Sequence, residues 1–189
     1  MSAVVHQVAQ DHPQQTVELW AMDEHRVGLK PIIRHVWARR GNRPCVRVRH
    51  RYQWLYVYAF VHPVSGRSFW LLLPTVSIPV FAMALRLFAQ TVDPDHTKHI
   101  VLIVDGAGWP TRPTVLCPPG LQLHFLPAYS PELQPAEHLW QLTDAPLINP
   151  CFATLDHLDA GLVDRCAWLL QQFDIVRSTT RFHWWPTFV

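Results

Sequence analysis

Apolar residues recur along this chain at two periods, and the places where one period gives way to the other sketch the fold. Val17 to Met22 (VELWAM) is a short apolar run that stops at Asp23-Glu24, which predicts a strand delivering acids at its end. Tyr52 to Val61 (YQWLYVYAFV) is apolar on both alternating faces, with Tyr52, Trp54, Tyr56, Tyr58 and Phe60 on one side and Leu55, Val57, Ala59 and Val61 on the other. Such a strand is expected to be covered on both sides. A turn at His62 to Gly66 (HPVSG) leads into Ser68 to Leu73 (SFWLLL), so the two runs read as a hairpin. The period then changes: Ile78, Phe81, Leu85, Phe88 and Val92 form the stripe of a helix, with Ser77 placed to cap it.

Beyond that helix, His99 to Val104 (HIVLIV) predicts a strand ending at Asp105, and Leu121 to Leu126 (LQLHFL) predicts another. Pro127, Pro131 and Pro135 follow at four-residue spacing, which no single helix accommodates because each proline lacks an amide hydrogen and fixes φ. Pro135 suits the first position of a helix, where the missing donor costs nothing, and Glu137 then falls in the first turn. After a looser stretch from Thr143 to Pro150, Leu155, Leu158, Leu162, Cys166, Leu169 and Phe173 repeat at helical spacing behind Thr154 as cap. Asp156 and Asp159 suit the positive end of that helix. The order of elements predicts an α/β fold, a mixed sheet with helices on its faces.

With 189 residues, 49% of them hydrophobic, the chain matches one domain with a substantial core. No apolar run reaches the ~20 residues that span a bilayer, and the start of the chain lacks the pattern of a signal peptide, so a cytoplasmic location without membrane contact is expected. Cys45, Cys117, Cys151 and Cys166 lie far apart with no C-x-x-C pair, and are expected to be reduced and mostly buried. The twelve histidines are scattered and show no zinc-protease spacing.

The net charge of +2 conceals an uneven distribution. Nine basic residues and no acid lie between Arg26 and Arg51, so the rest of the chain is net acidic. Such a block is the footprint of a phosphate-binding surface, and Arg34, Arg39, Arg40, Arg43, Arg47 and Arg49 are the candidates for DNA contact. Within it, Gly41-Asn42 marks a turn after VWARRG, and VRVRH reads as a strand. A solubilising face is the plainer alternative, although such faces usually mix both signs.

Three acids stand out by position: Asp23 at the end of the first strand, Asp105 at the end of a central strand, and Glu137 at the start of a later helix. Ligand sites of open α/β sheets gather outside strand ends. Carboxylates brought together there repel unless a cation neutralises them, and hard oxygen donors suit Mg2+ or Mn2+. Two such ions would serve in-line displacement at a phosphodiester. Asp105 also fits an ordinary turn, Glu137 an ordinary helix start, and Glu132 rivals Glu137 as the third acid. Gly106 and Gly108 are weak candidates for phosphate approach, as are Trp37 and Trp109 for stacking on a base, and His124 and His138 for contact with metal or phosphate.

The runs VDGAGW (Val104 to Trp109) and LPAYSPELQPAEHLW (Leu126 to Trp140), with DEHRVGL and WARRG earlier, resemble the catalytic domain of DDE-superfamily transposases, in the mariner-like insertion-sequence branch. That resemblance implies a ribonuclease H-like mixed five-stranded sheet flanked by helices, and Asp23, Asp105 and Glu137 as the catalytic and metal-binding triad. It also implies two ions of Mg2+ or Mn2+, transposon ends and target DNA as partners, a homodimer on DNA, and a nucleoid location. Relatives often carry a polar residue such as His shortly after the second aspartate, whereas here DGAGW runs into Pro110. The branch usually places helix-turn-helix modules ahead of its catalytic domain, and the expectation is that a separate end-binding protein or upstream reading frame supplies them. The expected organisation is a tail over 1–16, a catalytic core over 17–145 and a helical extension over 146–189. The expected activity is metal-dependent cleavage and strand transfer at transposon ends. The competing readings are a non-catalytic DNA-binding remnant of a truncated element and a general ribonuclease H-like nuclease.

Overall fold

A computed structural model describes residues 2–42, 45, 51–106, 115–127 and 130–186. Five strands, β1 (Thr16–Gly28), β2 (Trp54–His62), β3 (Arg67–Leu73), β4 (Lys98–Val104) and β5 (Leu121–Phe125), form one sheet in the order β3-β2-β1-β4-β5. β2 runs antiparallel to both β1 and β3, while β4 and β5 are parallel to β1. The hairpin between β2 and β3 closes where predicted: His62 O accepts from Gly66 N at 2.8 Å, and Gly66 takes φ +76, a conformation that favours glycine.

Both faces of the sheet are covered, as the doubly apolar strands require. On one face α2 (Ile78–Val92) buries Phe81, Ala84, Leu85 and Phe88 against Trp20, Met22, Tyr58, Phe60 and Leu102. Its start is set by Ser77, whose hydroxyl accepts from Val80 N at 3.4 Å, with proline in the first turn. The other face carries two clusters. Val5 and Val8 of α1 (Ser2–Asp11) meet Leu19, Ala21, Val101 and Ile103 together with Ala136 and Leu139. Leu158, Leu162 and Cys166 of α4 (Leu155–Leu169) meet Val27, Leu55 and Val57.

Several expectations need correction. The first residues, read as a tail, form α1 and contribute to the core, because Val5 and Val8 fall one turn apart and cover the edge of the apolar face. The stripe from Leu155 to Phe173 is two helices, since α4 stops at Leu169 and α5 (Phe173–Thr180) begins at Phe173, itself exposed. The loose stretch after Thr143 starts inside α3 (Trp140–Asp144) and continues as a 3-10 turn over Ala145–Leu147. Of the four cysteines only Cys166 is buried; Cys45 and Cys117 are exposed and Cys151 is half-buried, so these thiols are surface groups more than core packing. The strand expected at VRVRH lies outside the described residues. No described helix is long and apolar enough to cross a membrane.

Candidate metal and nucleic-acid site

Asp23 sits inside β1 rather than at its end, since β1 continues to Gly28. The reason is the partner on each side: β1 leaves β4 after the pair Ala21 and Ile103, but stays paired to β2 through Gly28 and Trp54. Asp23 and Asp105 each lie two residues past that last parallel pair. A parallel ladder keeps register, so the two aspartates stand beside each other where the parallel part of the sheet stops. Alternation along β1 puts Asp23 on the face of Ala21, the face that Ala136 and Leu139 cover.

Ala136 and Leu139 belong to a 3-10 helix, Pro135–Leu139, and so does Glu137. The proline-rich approach makes this turn, with Pro135 in its opening positions and Gln134 as cap. A 3-10 turn, tighter than the expected α-helix, suits a segment framed by prolines. Gln134 is buried and does two jobs. Its carbonyl accepts from Ala136 N at 3.4 Å, and its amide donates to Met22 O at 3.0 Å, which fastens the turn to β1 one residue before Asp23. Glu137 is exposed and carried on a fixed base, while Glu132, its rival, is exposed in the preceding short turn Pro131–Leu133.

Asp23 is held in place by Trp140, whose indole Nε1 donates to Oδ2 at 2.9 Å. The Trp140 ring stacks on His25 with centroids 4.8 Å apart, and His25 Nε2 lies 3.1 Å from Asp144 Oδ1. A chain of contacts thus runs Asp144, His25, Trp140, Asp23. Burial pushes the Asp23 carboxyl up to about 6 against the opposing pull of Trp140, and the charges of Glu137 and Asp105 push it further in the same direction. Asp23 therefore feels both of the other acids, although among the described residues no three His, Cys, Asp or Glu side chains are gathered closely enough to hold an ion.

Glu24 was not singled out by the sequence reading, and nothing local marks it. It points to the opposite face, its Oε1 is buried without a hydrogen-bond partner among the described residues, and burial together with Asp23 and Asp105 pushes its carboxyl up to about 8. Tyr58, its register partner on β2, also has a buried hydroxyl without a partner there, and its ionisation is pushed up by burial and by Glu24. An acid-rich spot short of positive charge is what a cation would relieve, and its donors are hard oxygens of the kind Mg2+ and Mn2+ prefer.

Of the basic candidates, Arg34, Arg39 and Arg40 are exposed on the long connection between β1 and β2, which is anchored where Arg34 N donates to Asn149 Oδ1 at 3.1 Å. The turn expected at Gly41-Asn42 is present, with Asn42 N donating to Arg39 O at 2.9 Å. Arg43, Arg47 and Arg49 lie outside the described residues, as do Gly108, Trp109 and Pro110. Trp37 is fully exposed, and His138 packs edge-on against Phe182 at 4.7 Å.

A sequence model of the DDE superfamily endonuclease family matches residues 18–159. The uncharacterized protein y4pE/y4sA of Sinorhizobium fredii (strain NBRC 101917 / NGR234) is 36% identical over 106 residues, which is 56% of this chain and 77% of that protein. Among solved structures, a pre-cleavage Mos1 transpososome superposes with a TM-score of 0.57 at 13% identity over 96% of this chain. The Mos1 mariner paired end complex with Mn superposes with a TM-score of 0.56 at 15% identity over 95% of it. This chain spans 60% and 61% of those Mos1 chains, respectively, and at such identities the likeness is one of fold, the ribonuclease H-like mixed sheet with flanking helices. Matched over most of its length and carrying its acids where the parallel strands of that sheet end, the chain belongs to the DDE superfamily endonuclease family.

Proposed function

We propose that this chain is the catalytic domain of a transposase, cutting DNA at transposon ends and joining them to target DNA, with Asp23, Asp105 and Glu137 holding two Mg2+ or Mn2+ ions. The observation that carries the reading is that Asp23 and Asp105 each lie two residues past the last β1–β4 pair, with Glu137 on the turn that Gln134 ties to β1. Family membership supports a DNA-cutting role, and the Mos1 complexes, which include a strand transfer complex, support the specific one. When bound, the ions supply activation of a water or 3′-hydroxyl and neutralise charge at the displaced oxygen.

The chain's own residues supply the rest. Trp140 and the Glu24 backbone both bond the Asp23 carboxylate and so orient it. Gln134 keeps the Glu137 turn on β1, which gives the exposed Glu137 carboxylate a fixed base. Arg34, Arg39, Arg40, Arg43, Arg47 and Arg49 neutralise DNA phosphates. The active form is a homodimer on DNA, and a helix-turn-helix protein or upstream reading frame recognises the ends.

The test is nicking of supercoiled plasmid by the full chain in Mn2+. The reading expects nicking by the wild type that chelator and Asp105→Asn both abolish. A folded wild type that binds plasmid but leaves it intact in Mg2+ and in Mn2+ would favour a DNA-binding remnant.

A further inference from the structure

At His25 and Asp144 the surface opens into a groove of about 600 Å³, within the roughly 300–1,000 Å³ of ligand sites. Its walls join two kinds of side chain. Arg26, Lys30 and Arg51 supply positive charge, and among the described residues none of them takes part in an ion pair. Tyr52 and Trp54 supply aromatic surface, Tyr52 almost fully exposed and Trp54 41% exposed at the very start of β2. The Arg26 guanidinium lies over the Trp54 ring, 5.3 Å from its centroid. The single acid in the lining, Asp144, is already engaged by His25.

We propose that this groove takes an unpaired stretch of the DNA strand, a base stacking on Trp54 or Tyr52 while Arg26, Lys30 and Arg51 contact the phosphates beside it. Charge selects a polyanion, and exposed rings among cations select bases free to stack, since paired bases offer no open face. Position selects the strand being processed: His25 is two residues from Asp23 on β1, about 7 Å along the strand, so a chain lying on the carboxylates continues into the groove. Gly28 on the floor admits no side chain, because a Cβ there would stand 2.9 Å from Gln53 O and 3.4 Å from Trp54 Cβ. The assignment rests on the DNA-processing reading above but concerns different residues.

The experiment compares binding of the full chain to a short fluorescein-labelled oligothymidine and to a duplex of equal length, for the wild type, Trp54→Ala, Trp54→Phe and Tyr52→Ala. Tyr52 precedes β2, so its replacement leaves the sheet intact. The expected result is a loss of roughly tenfold or more in single-strand affinity for Trp54→Ala and a measurable loss for Tyr52→Ala. Trp54→Phe retains most of the affinity, and duplex affinity changes little. Arg26→Ala and Lys30→Ala each reduce the salt slope of single-strand binding by about 0.7. Variants that bind the single strand as tightly as the wild type, or that lose equally on both probes, overturn the groove while plasmid nicking leaves the catalytic reading standing. A folded wild type that binds neither probe overturns both.

Discussion

Trp140 donates its indole N–H to Asp23 at 2.9 Å while its ring lies on His25, a residue that lines the basic groove, so one side chain both orients the half-buried acid and links it to that groove. The bond favours the charged form of Asp23 against burial. Trp140→Phe keeps the ring and removes the donor. Because a cation must displace the proton, Mn2+ affinity in the wild type rises as pH climbs through about 6. Losing a hydrogen bond to a charged group raises that midpoint by about one pH unit in the variant. Mn2+ titrations across pH check this, and an unmoved midpoint would contradict the role given to Trp140.

Glu24 makes a separate prediction, for stability. Its carboxyl is raised from 4.5 to about 8 in the folded protein, so between those values the unfolded chain ionises while the folded chain stays protonated. Folding therefore weakens as pH rises across that window and is least penalised below it. Glu24→Gln removes the titration, and the metal-free variant melts higher than the wild type at pH 7, with the difference shrinking towards pH 4. Thermal melts in chelator decide it; a variant that melts lower at every pH would show that the Glu24 carboxyl is satisfied in a way this account lacks.

The tight hairpin predicts a steep local cost. At Gly66 a Cβ would lie 2.0 Å from Phe173 O at the start of α5, and φ is +76. Gly66→Ala must strain the turn and push α5 away, so it destabilises by roughly 2–4 kcal/mol. A Tm drop of ~5–15 °C follows for a chain of this size. A drop of under about 2 °C would mean that α5 is loosely docked.

Much of this was legible in the sequence, and the failures have physical causes. α2 was readable from one stripe and one cap because its whole apolar face meets the sheet, and β2 because both its faces are covered. β1 was cut short because Asp23, Glu24, His25 and Arg26 interrupt its apolar run. Those residues stay in strand conformation through pairing with β2 after β4 has ended, a relationship between distant segments that no local pattern carries. The three acids were proposed from position, at strand ends and a helix start, and the structure shifts two of those positions, with Asp23 inside β1 and Glu137 on a 3-10 turn. The groove and the links from Asp144 through His25 to Trp140 join segments 119 residues apart and had no local signal. Glu24 was missed for a simpler reason: beside an acid singled out as a ligand, a second acid reads as more of the same until alternation sends it to the other face.

The central claim is that Asp23, Asp105 and Glu137 form one cation site. The most direct test is Mn2+ binding, followed by loss of the free-ion paramagnetic resonance signal, for the wild type and for Asp23→Asn, Asp105→Asn and Glu137→Gln at a pH above about 7, where Asp23 is ionised. The account predicts binding by the wild type and a loss of roughly tenfold or more in each variant, since each removes one charged ligand. Equal binding by all four folded proteins would contradict it.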